Sequence, residues 1–150
     1  MVHTAASLAG ALRRVGEMPE AEAVGRDAAS MGEHAGPDSR EVFTARHGLA
    51  LTLTETGRAD EASDIFRENV DIQRRLRGTG HDDTLRSLQA LGRSFSAAGR
   101  HHAAELALRE TVALRIEHFG IDHASTILAR HFLARALEDA GRTADCEAEY

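Results

Sequence analysis

The chain has 150 residues, 18 Lys+Arg against 24 Asp+Glu, a formal net charge of −6 and 42% hydrophobic residues. That length holds one ordinary domain or a short repeat array, and the composition is that of a folded chain. The acidic balance argues against non-specific binding of nucleic acid or anionic lipid, the single cysteine, Cys146, excludes an intrachain disulfide or a multi-cysteine zinc site, and no apolar run is long enough to cross a membrane. The start, Met1-Val2-His3-Thr4, lacks a basic stretch followed by an apolar one, so cytoplasm is the expected address. Aromatic residues are only 4% of the chain while Ala, Leu, Arg and Glu abound, a balance that favours helix.

In chain order, helices are predicted over residues 4–15 and 18–34, 40–56 and 59–77, 83–98 and 101–118, then 125–140 and 143–150. The first ends at Gly16 and the second at Gly36, since glycine takes the left-handed backbone that closes a helix. In the second pair, Asp60 and Glu61 suit a helix start, and Arg74, Arg75 and Arg77 suit its end beside Gly78. Asp82-Asp83-Thr84 and Ser125 offer N-caps for the helices that follow. Leu85, Leu88, Leu91, Gly92 and Phe95 fall in steps of three and four, one face of a helix.

The helices repeat. Gly16, Gly57, Gly99 and Gly141 stand 41, 42 and 42 residues apart, and Gly36, Gly78 and Gly120 stand 42 and 42 apart. Two interleaved series at one period imply a unit of two helices and two turns. Eight residues before the first-series glycines stand Leu8, Leu49, Leu91 and Leu133, each followed by a small residue: Ala9, Ala50, Gly92 and Ala134. A small residue there lets a neighbouring helix come close. Five after the glycines stand Ala21, Ala62, Ala104 and Cys146, all small, so Cys146 reads as a packed residue and not as a nucleophile. Arg26, Arg67 and Arg109 each precede an acid. The repeats run over about 1–36, 37–78, 79–120 and 121–150 of a single array, the last incomplete.

Leu49-Ala50 through Leu53, Gly57-Arg58 and Ala62, with the loop Gly-x-x-His-x-x-Thr at Gly78–Thr84 and Gly120–Thr126, resembles the tetratricopeptide repeat, in the 42-residue variety of kinesin light chains and many actinobacterial proteins. The resemblance covers nearly the whole chain. It implies an all-α, right-handed superhelix of about three and a half hairpins whose concave groove, lined by the first helix of each pair, grips a peptide or protein. The sequence departs from that pattern at three points. Asp82 and Ala124 stand where the loop usually has Pro, and Gly48, Ala90 and Phe132 stand where a backbone-clamping Asn is common. The first repeat is a residue short, with Gly25 in place of Phe66 and Leu108.

Residues opposite the apolar face are the candidate groove. His47, Gln89 and His131 form one row, Leu51, Arg93 and Arg135 a second, with Arg86 and Leu128 above and Glu138 below. Gln89/Arg93 and His131/Arg135 are i, i+4 pairs, and two guanidinium forks in adjacent repeats suit an acidic or C-terminal carboxylate. The competing reading is a solvated face whose arginines pair with Glu55, Glu138 and Asp139.

Other chemistries find little support. None of the nine histidines has the spacing that puts two metal ligands on one helical face. His81 and His123 recur at 42 as turn residues, and Gly78-Thr79-Gly80 has neither a preceding strand nor a following Gly-Lys-Ser/Thr for phosphate binding. No acid–base pair or nucleophile arrangement emerges, so no enzyme, cofactor or metal is expected. Leu128, Phe132 and Leu133 lie in the truncated last hairpin, which predicts a fragment of a longer array or self-association through exposed ends. Two other roles are compatible with the pattern: a peptide- or ligand-sensing module of a larger signalling ATPase or transcription regulator, and a structural self-association element.

Overall fold

The structure, a computed structural model, describes residues 1–36 and 39–141. Among them are seven α-helices and no strand: α1 (Val2–Val15), α2 (Met18–Ala35), α3 (Arg40–Glu55), α4 (Ala59–Arg77), α5 (Asp82–Ala97), α6 (His101–Phe119) and α7 (Ala124–Asp139). The seven helices predicted between residues 4 and 140 are all present. The predicted 143–150 helix, with Cys146, lies outside the described residues. The chain divides into two compact units, Met1–Ile72 and Gln73–Tyr150, and the division falls within α4.

In the first unit α2 packs on α1 and α3, and α1 packs on α3. Its buried side chains include Leu49, Leu53, Phe66 and Val70, with Ala21, Ala50 and Ala62 filling the close approaches. In the second unit α6 packs on α5 and α7, and α5 on α7. There Leu85, Leu88, Phe95, Leu108, Leu133 and Leu137 form the core. These are the positions that the three-and-four spacing marks, and each large apolar side chain taken from water contributes about 1.5–3 kcal/mol. The small-residue position does what its spacing suggests. A Cβ added at Gly92 would stand 2.6 Å from Cγ of Leu108, so only glycine admits that leucine so close to α5.

The turns follow from the glycines. At the end of α3, Gly57 has φ +83°, its N–H donates to the Thr54 carbonyl, and the Arg58 N–H reaches back to the Leu53 carbonyl at 2.8 Å. The end of α5 repeats this pattern: Gly99 has φ +72° and Arg100 N–H donates to the Phe95 carbonyl at 2.8 Å. This double bond closes the last carbonyls of a helix and reverses the chain. Arg100 then lays its guanidinium over the Phe95 ring, 4.6 Å from the centroid.

The second turn differs from expectation in its caps. The N-cap of α5 is His81 and that of α7 is His123, one or two residues before the expected Asp82-Asp83-Thr84 and Ser125. In each, the imidazole Nδ1 accepts the backbone N–H two residues on, at 3.2 Å, from Asp83 and from Ser125. The threonine of the motif then donates backward: Thr84 Oγ1 to the Gly78 carbonyl at 2.9 Å and Thr126 Oγ1 to the Gly120 carbonyl at 2.8 Å. Histidine caps the helix, threonine ties its first turn to the start of the loop, and both tasks fit the 42-residue recurrence.

Candidate functional site

α3, α5 and α7 carry the residues that the sequence places in a groove. In the first unit, His47 is half-buried, with its ring edge-on to the Phe66 ring at 5.2 Å and tilted against Phe43 at 6.1 Å. Leu51, one turn further, is half-buried. An aromatic neighbour from α4 therefore holds the His47 imidazole.

In the second unit, α5 carries Arg86, Gln89 and Arg93, and α7 carries His131, Arg135 and Glu138. All are exposed except Gln89, which is half-buried. Packing of α5 on α7 brings the Arg93 guanidinium over the Phe132 ring, 4.6 Å from its centroid. Phe132 is the residue that replaces the family's usual Asn, and here it is a platform. The negative face of the ring attracts the cation at that distance. Arg135 lies 42 residues after Arg93 and has no ion-pair partner among the described residues. The predicted pairing of Glu55 is with Arg13 of α1.

At the N-terminal end of α5 the charges are denser. Asp83 has Arg77 at 3.5 Å, His81 at 3.8 Å and Arg86 at 3.9 Å. Beside them lies a residue that sequence reasoning missed. Arg115 of α6 is only 3% exposed, and its Nε is buried with no hydrogen-bond partner. Burial pushes its guanidinium pKa down, Asp82 pulls it back up, and Arg86 lowers it further. Gln89, one turn along α5 from Arg86, likewise has a buried Oε1 with no partner. The only hint in the sequence is that Arg115 stands 42 residues after Gln73, itself buried.

The first unit holds a different electrostatic feature. Glu22 and Arg26 of α2 and Arg58 and Glu61 at the start of α4 form a four-membered ring. Arg26 bonds Glu22 and Glu61 at 2.8 and 2.7 Å, and Arg58 bonds the same two carboxylates. Hydrogen bonds from Arg26 hold both carboxyls below their usual range, against the opposing effect of burial. A closed ring of this kind consumes its own charges, which marks it as structural.

Among the described residues no three His, Cys, Asp or Glu side chains gather where they could hold a metal ion. No helix among them is long and apolar enough to cross a membrane.

Comparisons with known proteins identify the fold. No curated protein sequence matches the chain at a significant level. Solved structures do. A Podosopora anserina kinesin light chain-type protein with nearly identical TPR-like repeats superposes with a TM-score of 0.88 at 22% identity, over 97% of this chain and 70% of that one. BtubC (BKLC) from P. vanneervenii gives 0.87 at 20% identity, over 99% of this chain and 59% of that one. A Rap protein complexed with competence and sporulation factor gives 0.73 at 15% identity, over 99% of this chain and 44% of that one. At such identities the likeness shows the fold, an all-α tetratricopeptide solenoid. The family model described as tetratricopeptide repeat matches residues 2–68 and again 41–117. A repeat of paired helices at a 42-residue period, closed by left-handed glycines and matched by that model over most of its length, makes the chain a member of the tetratricopeptide repeat family, whose proteins are in general interaction scaffolds.

Proposed function

We propose that the exposed face of α5 and α7 binds a peptide segment carrying an acidic side chain or a C-terminal carboxylate. The observation that carries this reading is Arg93, stacked on Phe132 across the two helices, with Arg135 at the equivalent position of the next repeat. Stacking orients one guanidinium before any ligand arrives, which lowers the ordering cost of binding. Gln89, His131 and Glu138 flank the arginines and would set register and polarity. In the first unit, His47 and Leu51 offer an imidazole held on Phe66 and an aliphatic surface to the same kind of partner. The Rap structure, of the same fold, is a complex with a factor, which supports a binding role here.

The test is direct. An N-acetylated, C-amidated hexaglutamate peptide is titrated against the wild type and Arg93→Ala/Arg135→Ala by fluorescence anisotropy. Loss of about tenfold or more in the double variant supports the reading, as expected for truncating charge-assisted bonds. Unchanged affinity overturns it.

A second reading, self-association, is favoured by one observation. Ile121, Ile127 and Leu128 in the second unit are each about half exposed, at 53%, 55% and 47%.

A further inference from the structure

We propose that copies of this chain associate head to tail, with α7 of one copy packed on the open face of α1 of the next, in the register that joins α1 to α3 within a copy. The proposal rests on the self-association reading above and adds which two surfaces meet and what selects them.

The repeat defines the open face. Leu8, Leu49, Leu91 and Leu133 stand at one repeat position, eight residues before their turn glycines. The last three are buried, at 5%, 7% and 1% exposure, whereas Leu8 is 51% exposed. The positions one turn to either side behave alike. Ala45 and Thr52 of α3 are buried, as are Ala129 and Ala136 of α7. In α1 the same positions hold Thr4, which is exposed, and Ala11, which is half-buried. In α3 the cover comes from the hairpin before it: a Cβ added at Gly25 of α2 would stand 3.4 Å from Cβ of Leu49. The α1 face thus has the spacing of a face that is covered in the other repeats, and Leu8 is left in water.

α7 offers the matching surface. Ile127 stands 42 residues after Leu85, which is fully buried, yet Ile127 is half exposed with Leu128 beside it.

Charge selects the partner. Residues 1–16 contain no acid and carry Arg13 and Arg14, whereas residues 138–150 carry five acids and one arginine. In a chain of net charge −6, an acid-rich segment is repelled by most of the surface of another copy. The acid-free α1 is where that repulsion turns to attraction. A symmetric α1–α1 contact would join two acid-free surfaces and leave the acidic segment unmatched.

The register is visible inside one copy. Arg13, three residues before Gly16, bonds Glu55, two residues before Gly57, at 2.5 Å. Glu138 stands three residues before Gly141. Carried across copies, the same register sets Glu138 against Arg14, two residues before Gly16. The pair recurs with its charges exchanged. Arg14 is exposed and has no ion-pair partner among the described residues. Each added copy again presents one open α1 and one open α7, so such a contact does not close at the dimer.

Sedimentation equilibrium of the 16.2 kDa chain tests this. The mass is expected to rise past that of a dimer with concentration. Leu8→Glu/Arg14→Glu blocks the α1 side at two exposed positions, and Ile127→Ser/Leu128→Ser blocks the α7 side. Each variant alone should be monomeric. Mixed in equal amounts they should form a heterodimer and stop there, because one brings an intact α7 and the other an intact α1. Charge exchange tests the register: Arg14→Glu and Glu138→Arg should each weaken association about fivefold, and the two together should restore it.

A wild type that stops at the dimer overturns head-to-tail stacking and leaves self-association standing. A mixture of folded variants that stays monomeric overturns it too. Should a blocking variant fail to fold by circular dichroism, the charge exchange decides, and no recovery in the combined variant overturns the proposal. A wild type that is monomeric at every concentration overturns both this inference and the self-association reading.

Discussion

At the scale of single residues, glycine and its immediate contacts carry much of the specification. Gly92 is the sharpest case, because the group it faces, Leu108, is fully buried and cannot retreat. Gly92→Ala should cost about 1–3 kcal/mol in urea unfolding, the range for overpacking a filled core. Gly80 meets an even closer neighbour, the His118 ring, at 2.1 Å from the position of a Cβ. His118, however, is exposed and can swing aside. Gly80→Ala should therefore cost clearly less than Gly92→Ala, and a reversed order would show that the geometry of approach does not decide the cost. Both glycines were visible in the sequence, but only Gly92 stood at a repeated small position whose purpose could be read. The closeness of Gly80 to His118 arises between a loop and the end of a different helix, which no local pattern encodes.

Between elements, the repeated Arg-acid pairs turn out to serve two purposes. Arg26 and Arg109 bond an acid one turn earlier on their own helix, Glu22 and Glu105. The acids that follow the repeated arginines, Glu68 and Glu110, bond Arg46 and Arg74 on neighbouring helices, at 3.0 and 2.6 Å. Exposed pairs of this kind contribute little singly, and a closed network contributes more. In the ring of Glu22, Arg26, Arg58 and Glu61, both carboxyls have folded-state pKa values depressed chiefly by Arg26. Groups so depressed stabilise the fold above their unfolded pKa, near 4.3 for glutamate, and lose that contribution as pH falls through the lower folded value. Thermal stability of the wild type should therefore decline below about pH 4.5, and Glu22→Gln/Glu61→Gln should flatten that decline while lowering stability at pH 7. An acid limb of unchanged steepness in the double variant would assign the loss to other groups. High salt should shrink the difference between the two proteins, because the ring is partly exposed.

For the whole molecule, the family membership accounts for the helices, turns and core, and for an interaction scaffold in general. Phe132 stands in the place of a clamping Asn and meets the Arg93 guanidinium, and Arg115 stands in the place of the neutral, equally buried Gln73. The exposed apolar residues of the second unit bear on assembly. If Ile127 and Leu128 mediate self-association, sedimentation equilibrium should show a mass that rises with concentration, and Ile127→Ser/Leu128→Ser should abolish the rise. A monomer mass at all concentrations in the wild type would end that reading.

From sequence alone came the helical hairpins, their period and their glycine turns. Those features rest on spacing within a single helix and on backbone conformations that few residues adopt, so they are written locally. The caps were misplaced by a residue or two because Asp, Ser and Thr all suit that role in isolation. Only the folded loop shows that the imidazoles of His81 and His123 turn back while Thr84 and Thr126 hold the loop. The groove rows were legible as exposed positions, yet their partners were not. Arg93 meets Phe132 because α5 packs on α7 at one particular offset, and Arg115 is buried because the end of α6 lies against the start of α5. Periodicity tells which face of a helix is apolar. Which polar group is left buried and unpaired depends on how neighbouring helices slide past each other, and that is a property of the tertiary structure.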